Sequence, residues 1–275
     1  MTTDTTALLD VPGARLHHEV RGDGPLVVLV GAPMDARSFA PLADLLASDR
    51  TVLTTDPRGV LRSTVEDPSA SSSPELRADD LARLITHVDR GPAVVVGSSG
   101  GAVTALALTQ ARPDLVSTVV SHEPPIQALV PDHAELRAQT GAVVERYLSG
   151  DVLGAWTLFL SDAGLTLPDG ALEQMFGGER DPRAVRDERH FFANEIRPTT
   201  RWVPDLDALR SGRSRVVVGI GEESSGQVCD RTSRALAQAL STEPVLFPGG
   251  HTGFVEQPAA FADRLRAVLS RVQVS

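Results

Sequence analysis

The segment GSSGG (97–101) carries the strongest chemical signal in the sequence. It matches G-x-S-x-G directly after an apolar run and directly before a candidate helix, where the central serine sits on a sharp strand-to-helix turn. Such a turn strains its central residue and needs small residues two positions before and after it. Centred on Ser99 both positions are glycine, whereas centring on Ser98 puts Val96 at the first. The pattern therefore predicts Ser99 as a nucleophile.

Two other interpretations of this glycine-rich turn are weaker. A phosphate-binding loop needs G-x-x-x-x-G-K-[ST] or G-x-G-x-x-G, and the segment has neither pattern nor a nearby lysine. A turn that only lets a helix pack closely on a strand remains the structural alternative. Other parts of the chain must decide between that alternative and catalysis.

A serine hydroxyl is a weak nucleophile at neutral pH, so it needs a base, usually a histidine that a carboxylate orients. The chain has 7 histidines. His251 follows the last candidate strand and precedes the last candidate helix, which predicts a loop at the same sheet edge as Ser99. Of the other histidines, only His122 is also placed at a strand end where it could act as the base. The sequence therefore predicts that Ser99 and His251 act together.

The elements that must position these residues follow a repeated strand-then-helix rhythm. Nearly continuous apolar runs alternate with amphipathic helices, which predicts a mostly parallel central sheet with helices on both faces. Two β-type runs around Pro12-Gly13 predict an antiparallel hairpin at the start. Ligands of such sheets bind at the carboxyl ends of the strands. The apolar runs are 26–30, 51–55, 93–96, 117–120, 214–220 and 243–247.

From about residue 124 the alternation of strands and helices stops, because candidate helices follow one another with no strand between them. We therefore predict a core formed by 1–123 and 205–275, with 124–204 inserted as a helical cap. Apolar aromatic residues in and beside the insertion are expected to set substrate choice, although helix packing buries most aromatic residues of this kind. The predicted pocket residues are Trp156, Phe176, Phe192 and Trp202.

With these elements and this motif in order, the chain resembles the α/β-hydrolase fold family over nearly all of its length. That family has the catalytic order Ser, then Asp or Glu, then His. The segments DPRGVLRS (56–63) and LVGAP (29–33) are partial matches to its D-x-R-G-x-G-x-S motif and its oxyanion loop, with Leu61 and Val30 replacing the usual Gly and His. The resemblance places the oxyanion donors on the backbone N–H groups of Ala32 and Gly100.

The resemblance leaves the triad acid in question. The family usually carries it as G-x-x-D, but GEES (221–224) has Ser224 at that position, and serine cannot supply the negative charge that stabilises imidazolium. The remaining candidates are Glu222, Glu223 and Glu123. Glu123 follows the strand after the turn helix, where relatives such as haloalkane dehalogenases keep their acid. We expect Glu123 to be the acid.

Two alternatives to a catalytic Glu123 stay open. Glu123 precedes Pro124 and Pro125, so it can instead be a hinge residue with a purely structural role. The site can also be a weakened dyad of Ser99 and His251 with no working acid.

The charge and composition of the chain exclude some classes of binding partner. The formal net charge of −10 would repel nucleic-acid phosphates and anionic membranes, and the sequence has no evident basic patch to overcome it. The first residues have neither a positive region nor a long apolar stretch, so we expect no secretion signal or membrane anchor and a cytoplasmic location. The single Cys229 cannot form an internal disulfide, and a structural thiol is expected.

The sequence thus predicts a cofactor-independent and metal-free serine hydrolase that acts through an acyl-enzyme on an ester or thioester of a medium-sized, mainly apolar small molecule. Within the same fold, a perhydrolase, lactonase, C–C hydrolase or lyase is the first alternative, because fold and triad do not fix the reaction. A non-catalytic ligand-binding member is the second. The oligomeric state is open, with a homodimer as one alternative.

Overall fold

The computed structural model describes residues 4–165 and 167–270, so the outermost residues of the predicted core, 1–3 and 271–275, lie outside the described part of the chain. Within it, 9 strands form a single sheet in the order β1-β2-β4-β3-β6-β7-β8-β9, with β5 paired to β2. The strands are β1 (Thr5–Val11), β2 (Ala14–Arg21), β3 (Leu26–Val30), β4 (Thr51–Thr55), β5 (Thr64–Val65), β6 (Ala93–Ser98), β7 (Val116–His122), β8 (Arg215–Gly221) and β9 (Val245–Phe247).

The sheet is mostly parallel, as the apolar runs predicted. From β4 through β3, β6, β7 and β8 to β9, every neighbouring pair is parallel. The antiparallel part is the predicted hairpin of β1 and β2 together with the pairing of β2 to β4 and β5. The carboxyl ends of the parallel strands therefore share one edge, where the candidate residues lie.

Helices follow the strands in the expected places. A 3-10 turn at Ala36–Phe39 precedes the first helix, another lies at Gln127–Leu129, and a π-helical segment lies at Phe191–Glu195. The helices are α1 (Ala40–Leu46), α2 (Pro74–Val88), α3 (Gly100–Ala111), α4 (His133–Leu148), α5 (Val152–Asp162), α6 (Ala171–Phe176), α7 (Pro182–His190), α8 (Ile196–Thr200), α9 (Leu206–Ser211), α10 (Val228–Ala239), α11 (Gly253–Glu256) and α12 (Pro258–Ser270).

Strand β3 shows how the sheet builds a core on each face. All of its residues are buried, and successive side chains of a strand point to opposite faces. Val28 and Val30 pack into an apolar cluster with residues of α2 and α3. Val27 and Leu29 pack into a second cluster with residues of α1 and α12. Helices therefore cover both faces, which explains why the parallel strands are apolar throughout.

Helices α4 to α8, which we call the inserted helices, lie between β7 and β8 in the chain. They have a small apolar cluster of their own, with Val144, Tyr147, Ala155 and Phe192 among its buried members. The π-helical segment joins α7 directly to α8, and such wide turns often occur at functional sites. Whether these helices form a separate cap domain with the boundaries 124–204 stays a prediction.

No helix in the described part of the chain is long and apolar enough to cross a membrane.

Candidate active site

The turn between β6 and α3 holds Ser99 in a backbone conformation that few residues adopt. Its φ of 55° and ψ of −125° place it outside the helix, directly before the first residue of α3. A Cβ atom at Gly97 would collide with the carbonyl oxygen of Gly101, and one at Gly101 would collide with that of Val30. The glycines that the motif requires are therefore necessary for packing the turn against its neighbours.

Of the two adjacent serines, only Ser99 lines the main cavity. Ser98 is 2% exposed, and its Oγ lies 3.3 Å from Nδ1 of His122. His122 is fully buried, with its ring edge-on to Phe247 and Phe261. Burial lowers the pKa of His122 to about 4, so this histidine is neutral near pH 7. His122 therefore does not compete with His251 for contact with a substrate.

The structure brings Glu123 and His251 into direct contact. Nδ1 of His251 donates a hydrogen bond of 2.5 Å to Oε2 of Glu123. The other carboxylate oxygen, Oε1, accepts the backbone N–H of Gly221 at 2.8 Å. Glu123 follows β7 directly, has φ of 53° and is fully buried. Both carboxylate oxygens are thus held by partners, which fixes the orientation of the imidazole ring.

This contact shifts both ionisation equilibria. Burial would raise the pKa of Glu123, but the hydrogen bond from His251, the electrostatic interactions with His122 and His251 and the nearby hydroxyl of Ser224 together outweigh it, and the pKa falls to about 2. Burial would likewise lower the pKa of His251, but the neighbouring Cys229 and Glu123 raise it to about 10. Each residue therefore favours the charged form of the other, as expected for a buried acid–base pair.

The other two candidate acids lie away from this contact. Glu222 and Glu223 are exposed, and Glu222 pairs with Arg264 at 3.6 Å. Ser224, which stands where the family usually carries its acid, is fully buried and lies beside Glu123. The carboxylate that reaches His251 therefore comes from the end of β7 and not from the loop after β8.

His251 and Ser99 line the same cavity, together with Ala32 and Gly100. Among the hydrogen bonds of the described residues none joins the Ser99 and His251 side chains, and such bonds often tighten only when substrate is bound. Gly100 is the first residue of α3, so its N–H has no acceptor within the helix. A Cβ atom at Gly100 would lie 2.8 Å from the carbonyl oxygen of Ala32, so the start of α3 packs directly against the loop that carries Ala32.

Asp56 supports the loop that carries Ala32. Its carboxylate accepts the N–H of Ala36 at 3.0 Å and the guanidinium Nε of Arg62 at 2.7 Å. Arg58 instead forms a buried pair with Asp80, at 2.6 Å between Nη2 and Oδ1. The partial D-x-R-G match therefore contributes structural contacts after β4.

The wall of the cavity opposite the sheet is mainly apolar and comes largely from the inserted helices. Helices α4 and α5 and the π-helical segment supply most of it, with a few buried polar groups such as Glu195 among them. Its apolar members include Leu136, Val143, Phe159, Leu165, Phe191 and Ile196.

The predicted pocket residues must be corrected, because none of the four lines this cavity. Trp156 stacks on Phe176, with ring centroids 4.1 Å apart, and its Nε1 donates to Glu188. Phe192 is fully buried in the cluster of the inserted helices. Trp202 is 6% exposed within the main core and donates to Glu75 at 2.9 Å. Aromatic rings bury themselves where helices pack, and here that packing excludes them from the cavity.

Cys229 also lines the cavity, which the sequence did not indicate. It is the second residue of α10 and is 6% exposed. One ligand atom from each of Glu123, Cys229 and His251 lies within 4.8 Å of the other two, so these residues are the group in the described chain that could hold a metal ion. One feature of the sequence could have predicted this location. Cys229 lies just after the strand β8, at the start of a candidate helix, and the carboxyl end of β8 is at the same sheet edge as Ser99.

The model of the alpha/beta hydrolase family matches residues 26–264. The uncharacterized hydrolase YraK of Bacillus subtilis is 30% identical over 282 residues, covering 98% of this chain and 97% of that protein. The 2-(acetamidomethylene)succinate hydrolase of Mesorhizobium japonicum is 31% identical over 208 residues, covering 71% and 74%.

Solved structures agree with the fold. A thermophilic esterase from Thermogutta terrifontis superposes with a TM-score of 0.71 at 21% identity, covering 99% of each chain. At that identity the likeness shows the fold alone. The family match and the full-length relative carry the assignment, and the chain belongs to the alpha/beta hydrolase family.

Proposed function

We propose that the chain is a cofactor-independent serine hydrolase, with Ser99 as nucleophile, His251 as general base and acid, and Glu123 as the residue that orients His251. The observation that carries the proposal is the hydrogen bond from His251 to Glu123 at the cavity that Ser99 also lines. A carboxylate, an imidazole and a serine at one sheet edge supply the groups that acyl transfer needs.

In this mechanism Ser99 Oγ attacks the carbonyl carbon of the substrate while Nε2 of His251 accepts the hydroxyl proton. The negative charge that develops on the carbonyl oxygen is stabilised by the N–H groups of Ala32 and Gly100. His251 then gives its proton to the leaving oxygen or sulfur, and an acyl-enzyme on Ser99 remains. Water attacks the acyl-enzyme with His251 as base again, which releases the acid and restores the serine.

Glu123 contributes electrostatically, because its carboxylate is buried and ionised. With its pKa lowered to about 2, it stays negative throughout the neutral range. A fixed negative charge at Nδ1 stabilises the imidazolium that forms during each proton transfer. In the neutral form of His251 the same contact keeps the proton on Nδ1, so Nε2 is the nitrogen that accepts a proton.

For the substrate, we propose an ester or thioester of a medium-sized, mainly apolar molecule. The apolar wall formed by residues such as Val143, Phe159 and Phe191 supports this proposal. Buried apolar surface binds uncharged acyl or alkoxy groups well, since about 25 cal/mol is gained per Å² removed from water. A panel of aryl esters with neutral, acidic and basic acyl chains tests it; faster turnover of charged esters than of neutral ones would overturn it.

The nucleophile is tested by treating the chain with a fluorophosphonate probe and measuring intact mass. We expect one adduct on the native chain and none on Ser99→Ala. The matched control is Ser98→Ala, which changes the same atom one residue earlier and should still be labelled, because Ser98 faces His122 and not the cavity. Labelling of a folded Ser99→Ala variant would contradict the assignment, and no labelling of the native chain would favour a non-catalytic binding protein.

A further inference from the structure

We propose that Glu123, Cys229 and His251 form a binding site for a thiophilic divalent metal ion, of which Zn²⁺ is the best match, and that the bound ion blocks catalysis. The ion would bind to the base and acid of the proposed triad together with the neighbouring thiol. Metal binding rests only on the arrangement of these side chains. The inhibition rests in addition on the proposed function.

The geometry brings three different ligand types to one place. Their candidate ligand atoms all lie within 4.8 Å of one another, and His251 Nδ1 already lies 2.5 Å from Glu123 Oε2. A tetrahedral zinc ion holds its ligands at about 2.0–2.3 Å, which separates neighbouring ligand atoms by roughly 3–4 Å. The three side chains therefore need only small displacements to reach ligand distances.

All three side chains are buried, so little water competes with them for a bound ion. Glu123 is fully buried, while Cys229 and His251 are 6% and 8% exposed. The carboxylate of Glu123, and the thiol of Cys229 once the metal displaces its proton, offer two negative charges to a divalent cation in a region of low dielectric constant. The three side chains thus provide the negative charge and the polar ligand atoms that a cation needs, which the apolar residues around them do not.

The chemistry of the ligands selects the metal. Thiolate and imidazole suit Zn²⁺ and other late transition metals, whereas Mg²⁺ and Ca²⁺ prefer oxygen ligands only. Three protein ligands leave a fourth tetrahedral position free for water or for the carboxylate of a product. Two of the three ligand residues, Cys229 and His251, line the cavity from which such a molecule could come.

The surrounding backbone holds two of the three ligand residues in position. Cys229 is in the first turn of α10, a helix of 12 residues, and its backbone position is therefore set by that helix. Oε1 of Glu123 accepts the N–H of Gly221 at 2.8 Å, which holds the carboxylate in place, as partners of metal ligands commonly do. Binding displaces the thiol proton and the proton on Nδ1 of His251 into solvent, and no electron is transferred.

Bound metal would stop turnover by occupying the pair that the reaction uses. Coordination by His251 and Glu123 breaks their mutual hydrogen bond, so the imidazole loses the partner that orients it toward Ser99. The ion also withdraws electron density from the imidazole ring through Nδ1, which makes Nε2 of the same ring a weaker proton acceptor. Activity should therefore fall as Zn²⁺ is added and return fully when a chelator removes it.

The first test uses the native chain and needs no substrate. Co²⁺ is added to metal-free protein, and the absorption spectrum is recorded. We expect tetrahedral d–d bands together with a near-ultraviolet sulfur-to-cobalt charge-transfer band, both abolished by one equivalent of Zn²⁺. Absence of the charge-transfer band at saturating Co²⁺ would overturn the proposal, because Cys229 is the single cysteine of the chain.

The second test compares variants, with inhibition expressed relative to each variant's own metal-free rate. Cys229→Ser should lose the charge-transfer band and need about 100-fold more Zn²⁺ for half-inhibition. Ser99→Ala, which leaves all three ligands intact, should keep the band while lacking turnover. Equal zinc sensitivity of Cys229→Ser and the native chain would overturn the proposal. A Co²⁺ band in a native chain without hydrolase activity would instead refute only the proposed function.

Discussion

His251 donates a hydrogen bond of 2.5 Å to Glu123 across a sequence separation of 128 residues. The contact forms because Glu123 directly follows β7, whereas His251 follows β9, and the two strands flank β8 in one parallel sheet. Parallel strands present their carboxyl ends at the same edge, so residues far apart in the chain meet there. This hydrogen bond therefore predicts measurable effects on activity when Glu123 is replaced and when His251 changes its ionisation state.

Replacing Glu123 by Gln should reduce kcat by about 10³- to 10⁴-fold while leaving the fold intact. The amide is nearly isosteric, but it removes the charge that stabilises imidazolium and no longer fixes the Nδ1 proton. The matched control is Glu222→Gln, which changes an exposed carboxylate paired with Arg264 and should stay within about twofold of native activity. Comparable losses in the two variants, or none in Glu123→Gln, would refute the assignment.

The pH profile should follow the ionisation of His251. Only the neutral imidazole accepts a proton, and Cys229 and Glu123 raise the pKa of His251 to about 10 despite its burial. In buffer containing a chelator, kcat/KM should therefore increase with pH from about 7 and level off only near about 10. In Glu123→Gln the anionic partner is lost, so the pKa falls and the rising limb of the residual activity should move to lower pH. An unmoved limb would show that Glu123 does not act on the group that titrates.

Features that depend on strand order and on short-range sterics could be predicted from the sequence. The parallel sheet follows from continuous apolar strands, and the conformation of Ser99 follows from the glycines around it. Even the mismatch at Leu61 is informative, because its φ of 48° lies in the left-handed region where the family usually has glycine. The proximity of Glu123 to His251 then follows from shared strand ends.

Features that depend on how helices rotate against one another could not be predicted. Phe191 lines the cavity, whereas the adjacent Phe192 is buried in the inserted helices. The two residues begin a π-helical segment, whose wider turn changes the direction of each side chain from that of an α-helix. Cys229 was missed for a related reason, since a helix start in the sequence does not reveal which side of the first turn faces the site.

Arg77 should be essential for stability because it is fixed entirely by buried partners. It is 3% exposed and donates to the hydroxyls of Thr104 and Thr199 at 2.9 Å each, so it ties α2 to α3 and to α8. Its guanidinium also lies 3.9 Å from the carboxylate of Glu195, which is 1% exposed. Arg77→Leu leaves that carboxylate without its charge partner and should lower the free energy of unfolding by about 3–5 kcal/mol.

Urea denaturation measures this loss, and two further variants identify its origin. Arg83→Leu removes an exposed arginine of the same helix that pairs with Asp79, and it should cost less than about 1 kcal/mol. Adding Glu195→Leu to Arg77→Leu should recover part of the loss, because no charge then remains unpaired. If the double variant is less stable than Arg77→Leu by a further 3 kcal/mol or so, the two residues act independently and the argument fails.

Two glycine-to-alanine changes should have opposite effects on stability. At Gly101 the new Cβ would meet the backbone of Val30 and Gly31, which cannot move away without displacing β3, so we expect a loss of about 3 kcal/mol and reduced activity.

Gly141, in contrast, lies inside α4 with nothing within 4 Å of the new atom. Alanine there should add about 0.5–1 kcal/mol, since glycine costs helices conformational entropy. Urea denaturation of both variants provides the comparison. A destabilised Gly141→Ala would mean that other atoms pack against α4 at this position, whereas a fully stable and active Gly101→Ala would mean that close packing of the serine turn against β3 does not require glycine.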